Sequence, residues 1–155
     1  MIEKEDLLSI IPHRGKMLLL SRVINYSMED LTIEAEYNIT EDCLFYDSAA
    51  AGVPAWVGFE FIAQAISAFS GIRNRENGEP PRIGFILAVS QVRIDIPFFK
   101  TASIITIRAK EIEQLDSLYI FKGEIFLEGR KVLEGRLTVL DADEEQAEAM
   151  KRESI

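Results

Sequence analysis

Two long polar side chains, Glu60 and Gln64, interrupt a nearly continuous apolar stretch that runs from Gly52 to Ser70. Because they are four residues apart, they lie on the same face of a helix. A carboxylate inside an apolar helix is costly unless it is paired, protonated or engaged in chemistry. Glu60 is therefore the first candidate for a catalytic residue, and Gln64, one turn further along, is placed to hydrogen-bond to it and orient it.

Size, composition and charge restrict the class of protein. The 155 residues fit one domain, and 48% of them are apolar, as in a globular protein. A net charge of −9 argues against nucleic acid as a partner. The single cysteine, Cys43, excludes an intrachain disulfide. The charged N-terminus and short apolar runs predict neither a secretory signal nor a membrane span, and so a soluble cytoplasmic protein.

Hydrophobic periodicity indicates the secondary structure. The predicted elements are a short helix over 3–11, strands over 17–23 and 31–37, a long buried helix over about 54–75, and strands over 82–96, 103–112, 118–127 and 131–140. An apolar helix and an antiparallel sheet of about six strands bury each other if the sheet curls around the helix. We therefore expect an α+β hotdog fold over 1–140, then an acidic tail or short helix over 141–155. The open edge of such a sheet favours a homodimer or higher homo-oligomer.

Three blocks of sequence follow one another between residues 5 and 140. The first covers 11–23 and begins Ile11-Pro12-His13-Arg14-Gly15. The second is Gly52-Val53-Pro54, followed by Glu60 and then Ala63-Gln64-Ala65. The third runs from Arg82-Ile83-Gly84-Phe85 to Val92-Arg93-Ile94-Asp95-Ile96-Pro97. Together they resemble the 3-hydroxyacyl-acyl-carrier-protein dehydratases, and the helix start Pro54-Ala55-Trp56-Val57-Gly58 is similar to the dehydratase-like subgroup associated with aryl-polyene lipid biosynthesis.

The resemblance implies a reaction. A 3-hydroxyacyl thioester, carried by acyl-carrier protein or coenzyme A, would lose water and become a trans-2-enoyl thioester in fatty-acid or aryl-polyene-type lipid biosynthesis. This elimination needs a base at C2, an acid at the C3 hydroxyl and a hydrogen-bond donor to the thioester carbonyl. Neither a metal ion nor another cofactor is expected.

Roles follow for four residues. Glu60 fits the acid, because apolar surroundings favour the protonated form of a carboxyl group. His13, the only histidine, fits the base, since the ordinary pKa of histidine lies near neutrality. Backbone N–H groups at Ala55 and Trp56, at the start of the helix, would hold the carbonyl oxygen. The structural alternatives are a Glu60 neutralised by an arginine and a His13 that caps the first helix.

Aromatic residues near the start of the long helix are further candidates for substrate contact. Tyr46 is interpreted as a core residue, a substrate contact or a replacement acid. Phe59 and Trp56 are expected to line either the core or an acyl tunnel. With Gln64 and Ala55, these three residues make up the candidate substrate-binding set.

The chain departs from the resemblance at one catalytic position. Typical members carry a histidine in a Gly-His-Phe motif before the helix; by spacing from Glu60 it would fall near Tyr46, and residues 43–47 contain no histidine. A second hypothesis is therefore a non-catalytic hotdog subunit that assembles with another, active hotdog dehydratase. A third is an acyl-thioester hydrolase, because related hotdog proteins also place a carboxylate on this helix.

A group of cations after the long helix is the candidate docking site for an acidic carrier protein. Its members are Arg73, Arg75, Arg82, Arg93 and Lys100. They would form a local basic patch on an otherwise acidic molecule. The alternative is a set of scattered surface cations.

Overall fold

A computed structural model describes residues 1–80, 82–142 and 144–153. The first half of the chain forms β1 (Ile2–Glu3), α1 (Lys4–Leu7), β2 (Arg22–Ser27), β3 (Thr32–Asn38), β4 (Gly52–Pro54) and α2 (Gly58–Glu76). The second half forms β5 (Ile83–Ile94), β6 (Phe98–Lys100), β7 (Ile104–Leu115), β8 (Leu118–Leu127), β9 (Arg130–Ala142) and α3 (Glu144–Glu153). Single 3₁₀ turns, Gly15–Met17 and Ala55–Val57, precede β2 and α2.

Seven strands form one antiparallel sheet in the order β1-β2-β3-β7-β8-β9-β5. Along β3, Ile33, Ala35 and Tyr37 are buried and alternate with partly exposed polar residues, which is the predicted period of two. The sheet curls so that one face covers α2. The predicted α+β hotdog architecture is confirmed. A separate two-stranded sheet, β4 with β6, lies beside the start of α2.

The core forms around α2, which is apolar on most sides because the sheet surrounds it. The ring of Phe61 stacks on Tyr37 with centroids 5.0 Å apart, and Phe69 meets Phe121 edge-on at 6.2 Å. By length and composition, Ala55–Glu76 would also be able to cross a membrane. Its buried side chains instead identify it as the core helix of this fold.

The prediction of a first strand over 17–23 is wrong. Leu18, Leu19 and Leu20 are buried, yet they follow a 3₁₀ turn and do not belong to a strand; β2 begins only at Arg22. Gly15 has a φ of +57°, a conformation that favours glycine and breaks the extended chain. The apolar run reflects burial beneath the sheet, which periodicity alone does not distinguish from a strand.

Other predicted element boundaries also differ from those in the structure. The predicted helix over 3–11 shortens to α1, and the residues before it form β1, which pairs with β2. The strands β4 and β6 were missed because three residues are too few to show a period. At the C-terminal end, β9 continues to Ala142, and α3 occupies part of the region expected to be a tail or short helix.

One buried ion pair ties α2 to the sheet. Arg73 Nη1 lies 3.0 Å from Glu111 Oε1, and only 5% of the Glu111 side chain is exposed. The Arg73 guanidinium also lies over the rings of Phe69 and Tyr119, 4.9 and 5.2 Å from their centroids. The charge of Glu111 is therefore compensated at a site where water cannot solvate it.

We expect Glu111→Gln to lower the free energy of unfolding by about 2–4 kcal/mol, because it leaves the Arg73 charge without its carboxylate. The figure lies below the full cost of breaking a buried pair, since 23% of the Arg73 side chain stays exposed. The double variant Arg73→Met/Glu111→Leu should recover most of this loss. Urea unfolding at pH 7 measures all three.

The control for this prediction is Glu34→Gln, which removes an exposed carboxylate from its pair with Arg108. Exposed pairs contribute about 0–1 kcal/mol, so this variant should unfold close to the wild type. Equal effects of Glu111→Gln and Glu34→Gln would contradict a special role for the buried pair.

Candidate active site

A cavity of about 310 Å³ lies between α2, the N-terminal turn and the strands β5, β8 and β9. Five residues of α2 line it at helical spacing, namely Glu60, Ala63, Ile66, Ser67 and Ser70. Phe85 on the edge strand β5 contributes to the opposite wall. The cavity therefore follows one face of α2 from its first turn toward its middle.

Glu60 and His13 line this same cavity. Glu60 lies in the first turn of α2, and His13 lies in the turn between α1 and the following 3₁₀ turn. Burial lowers the pKa of His13; the nearby Glu60 carboxylate opposes this effect and the Arg14 guanidinium adds to it. The His13 Nδ1 atom is buried and has no hydrogen-bond partner among the described residues. The structure thus brings together a carboxyl group and an imidazole whose neutral form is favoured.

The buried amide of Gln64 connects these two segments. Its Oε1 accepts a hydrogen bond from the Leu19 N–H at 2.7 Å, and its Nε2 donates to the Met17 carbonyl at 2.8 Å. The same Nε2 donates to Glu60 Oε1 at 3.3 Å. The two backbone bonds fix which end of the amide faces Glu60. Gln64 therefore holds the chain that follows His13 against α2 and orients the Glu60 carboxyl.

A second contact holds the chain that precedes His13. Gly71 of α2 approaches the backbone of Ile10 so closely that a Cβ atom there would collide with the Ile10 carbonyl oxygen. The side chain of Ile10 is itself buried. His13 therefore lies on a short turn attached to α2 on both sides, at Gly71 and at Gln64.

The backbone N–H of Ala55 is not free to bind a thioester carbonyl, whereas the role of the Trp56 N–H stays a prediction. The Ala55 N–H donates to the Pro97 carbonyl at 3.0 Å, so the prediction of a free donor there is wrong. This bond forms because Pro97 precedes β6, which pairs with β4 just before Ala55. The Trp56 side chain is 63% exposed and contacts Phe45 edge-on at 6.2 Å, outside the cavity lining.

Tyr46 and Phe59 also lie outside the cavity lining. Tyr46 is half-buried against the core, and its backbone N–H donates to the Cys43 carbonyl at 3.0 Å. The Phe59 ring packs beside Gly135 of β9. Of the candidate residues, the fold therefore groups Glu60, Gln64 and His13.

Several polar residues of the cavity were not predicted from the sequence. Ser67 and Ser70 share the helix face of Glu60, so helical spacing alone would have indicated them. Arg82 and Asp141 meet only because β5 pairs with β9; Arg82 Nε lies 3.1 Å from Asp141 Oδ1. Burial raises the pKa of Asp141, and the Arg82 guanidinium opposes this effect.

Three of the five members of the predicted basic patch are paired with carboxylates. Arg73 pairs with Glu111, Arg82 with Asp141, and Arg93 with Asp95. Their charge is therefore largely compensated within the protein and does not form a free basic surface. Among the described residues, no three His, Cys, Asp or Glu side chains are grouped so as to hold a metal ion.

The sequence and the fold were compared with known proteins. The 3-hydroxyacyl-[acyl-carrier-protein] dehydratase FabZ of Chlamydia trachomatis serovar L2 is 26% identical over 142 residues, covering 86% of this chain and 88% of the relative. A FabZ of Chlamydia caviae is 30% identical over 95 residues, covering 59% and 61%.

Solved structures agree with the architecture. The dehydratase heterocomplex ApeI:P from Xenorhabdus doucetiae matches with a TM-score of 0.85 and 27% identity, covering 93% of this chain and 95% of that one. A hypothetical thioesterase with coenzyme A from Streptococcus pneumoniae matches at 14% identity and a TM-score of 0.58, covering 79% and 85%. At that identity the second match shows the fold alone.

A family model for the ApeP dehydratase matches residues 5–151. That range contains the His13 turn, the whole of α2 with Glu60 and Gln64, and all strands from β2 onward. The match therefore spans the cavity and the sheet that encloses it, and the chain belongs to the ApeP-like family of hotdog-fold dehydratases.

Proposed function

We propose that this protein removes water from a 3-hydroxyacyl thioester, bound to acyl-carrier protein or coenzyme A, to give a trans-2-enoyl thioester. The observation that carries the proposal is the shared cavity of Glu60 and His13, two side chains from separate segments. The FabZ relatives and the ApeP-like family membership support the reaction class. Fatty-acid or aryl-polyene-type lipid biosynthesis in the cytoplasm is the corresponding setting.

The base in this proposal is the neutral imidazole of His13. Because burial lowers its pKa, the neutral form predominates at pH 7 and accepts a proton. It takes the C2 proton of the substrate, and the electron pair of the C2–H bond moves into the bond between C2 and C3. Because Nδ1 is buried, Nε2 is the nitrogen that would accept the proton in this step.

The acid is the carboxyl group of Glu60. It donates its proton to the C3 hydroxyl as the C3–O bond breaks, so that water leaves and the C2=C3 double bond forms. The step leaves an imidazolium at His13 and a carboxylate at Glu60, whose opposite charges stabilise each other in one cavity. Transfer of the proton from His13 back to Glu60 restores both groups. The hydrogen bond from Gln64 keeps the carboxyl in place.

The rest of the cavity accommodates the acyl chain. From Glu60 to Ser70 the lined face of α2 extends for about 15 Å at 1.5 Å per residue. Ile66, Phe85 and Phe121 provide apolar contacts along this length. A volume of about 310 Å³ suits part of an acyl chain rather than a complete carrier-bound substrate.

The edge strand β5 is the proposed interface with a second subunit. Its exposed apolar side chains are Ile86, Leu87, Val89, Val92 and Ile94. An unpaired edge with these residues favours pairing with another strand. Because β5 also forms one wall of the cavity, a partner there would cover its open side. A second copy and another hotdog dehydratase both fit this edge, and the ApeI:P heterocomplex gives a precedent for the latter.

A non-catalytic subunit is the alternative function. By spacing from Glu60, the motif histidine would fall near Tyr46, which does not line the cavity, so catalysis in this proposal rests on His13. Under this alternative, enoyl product forms only with a second dehydratase and does not depend on Glu60. An acyl-thioester hydrolase would instead release the carrier thiol, which product analysis by mass spectrometry detects.

We expect Glu60→Gln to reduce kcat by about 10²–10⁴-fold, because an amide does not supply the proton. Formation of enoyl thioester from a 3-hydroxyacyl carrier substrate, followed by mass spectrometry, measures the rate. Glu128→Gln, a matched change in the exposed turn between β8 and β9, should leave the rate unchanged. A Glu60→Gln protein with unaltered turnover would rule out this mechanism.

The single histidine allows a direct pH measurement. We expect NMR titration of the His13 ring to give a pKa below 6.5, and the acid limb of kcat/KM to lie below pH 6.5 as well. Glu60→Gln should keep the pKa of His13 below 6.5, because burial is the largest cause of the lowered pKa. Glu128→Gln should leave it unchanged. A pKa above 6.5 would contradict the buried, neutral base.

Charge placed on β5 tests the interface. Val92→Lys/Ile94→Lys should convert the oligomer to a monomer in size-exclusion chromatography with light scattering, because two ammonium groups would be desolvated there. Leu115→Lys changes an exposed apolar residue of β7 and should preserve the mass. An unchanged mass of the double variant would place the interface elsewhere. Co-expression with another dehydratase distinguishes a mixed assembly from a homo-oligomer.

A further inference from the structure

The side chain of Arg14 binds three backbone carbonyl groups of the turn that carries His13. Its Nη1 donates to the Ile11 carbonyl at 2.7 Å and to the His13 carbonyl at 2.8 Å. Its Nη2 donates to the Leu8 carbonyl at 2.7 Å. One guanidinium thereby connects the end of the first helical segment to the residue that bears the imidazole.

These carbonyls need an external donor because α1 is only four residues long. A helix leaves its last carbonyls without intrahelical partners. Backbone N–H groups after α1 satisfy the Asp6 and Leu7 carbonyls. The Leu8 and Ile11 carbonyls receive their hydrogen bonds from Arg14. The forked shape of the guanidinium suits this task, whereas an ammonium group has a single nitrogen.

The position of the His13 ring depends on this backbone. In the part of the chain that the structure describes, no group hydrogen-bonds to His13 Nδ1. The turn is held to α2 before His13, where Ile10 contacts Gly71, and after it, where Gln64 binds Met17. Between those contacts, the hydrogen bond from Arg14 to the His13 carbonyl is the one that fixes the residue itself.

We propose that Arg14 is a positioning residue, which holds the His13 imidazole at the Glu60 cavity by binding the three carbonyls of its turn. Its action on catalysis rests on the proposed function, because it operates through His13. Arg14 is exposed to solvent, and among the described residues no carboxylate forms an ion pair with it.

The charge of Arg14 adds an electrostatic effect to the geometric one. Arg14 contributes to the lowered pKa of His13, while Glu60 on α2 opposes it. The other charged or titratable groups that line the cavity are Arg82, Tyr119 and Asp141. Arg82 and Asp141 form an ion pair, so their fields at the imidazole partly cancel.

Two variants of Arg14 separate position from charge. Arg14→Gln removes the hydrogen bonds to the turn and the positive charge. The value of kcat should therefore fall about ten- to a hundredfold, KM should stay within about threefold of the wild-type value, and the pKa of His13 should rise. Arg14→Lys keeps the charge but does not reach three carbonyls together. It should restore the pKa of His13 and leave kcat reduced. NMR titration of the His13 ring, kinetics and circular dichroism are measured for each.

The control is Arg130→Gln, which removes the same charge at the exposed start of β9 and should match the wild type. The proposal would be overturned by two results together: Arg14→Lys has the kcat of the wild type, and the His13 ring resonance does not shift in either folded variant. If the wild type lacks dehydratase activity but the His13 resonance still moves in Arg14→Gln, the proposed function fails and the positioning role stands. If Glu60→Gln abolishes turnover while both Arg14 variants behave as wild type, the positioning role fails alone.

Discussion

The hydrogen bonds of the Gln64 amide connect the Glu60 carboxyl to the segment that follows His13. This amide is the side chain of a buried residue of α2. It binds the backbone at Met17 and Leu19 as well as the Glu60 carboxyl. An amide buried there without partners would be costly, so the chain before β2 has to approach α2 closely. The His13 turn reaches the cavity as a consequence. Leu18 to Leu20, which follow it, do not join the sheet.

The wrapping of the sheet around α2 imposes the second constraint. The helix is apolar enough to require cover on most sides, and the strands from β3 to β9 provide it. The strand at the end of the sheet, β5, remains an exposed edge whose apolar side chains border the cavity. Enclosure of the site and the proposed assembly with a partner therefore involve the same strand.

Titratable groups have different partners in the interior and at the cavity. Glu111 is buried and paired with Arg73, which lies between two aromatic rings. His13 has no such partner, and burial favours its neutral form. Because their charges compensate each other, Glu111 and Arg73 form a structural link between the sheet and α2. The lack of such compensation leaves the imidazole free to accept a proton, as a base requires.

The sequence by itself determined the hotdog class and the central helix and indicated Glu60 and Gln64 as candidate site residues, because hydrophobic periods and an isolated carboxylate are local properties of the chain. It misplaced the first strand, since an apolar run such as Leu18 to Leu20 has the same composition in a strand and in a buried loop. It also predicted a free N–H at Ala55. Only the tertiary structure decided which backbone N–H groups are already hydrogen-bonded within the protein. It also decided that β5 and β9 bring Arg82 to Asp141 and that His13 and Glu60 share one cavity. Those relations depend on strand pairing and on contacts between distant segments, which the spacing of residues along the chain does not specify.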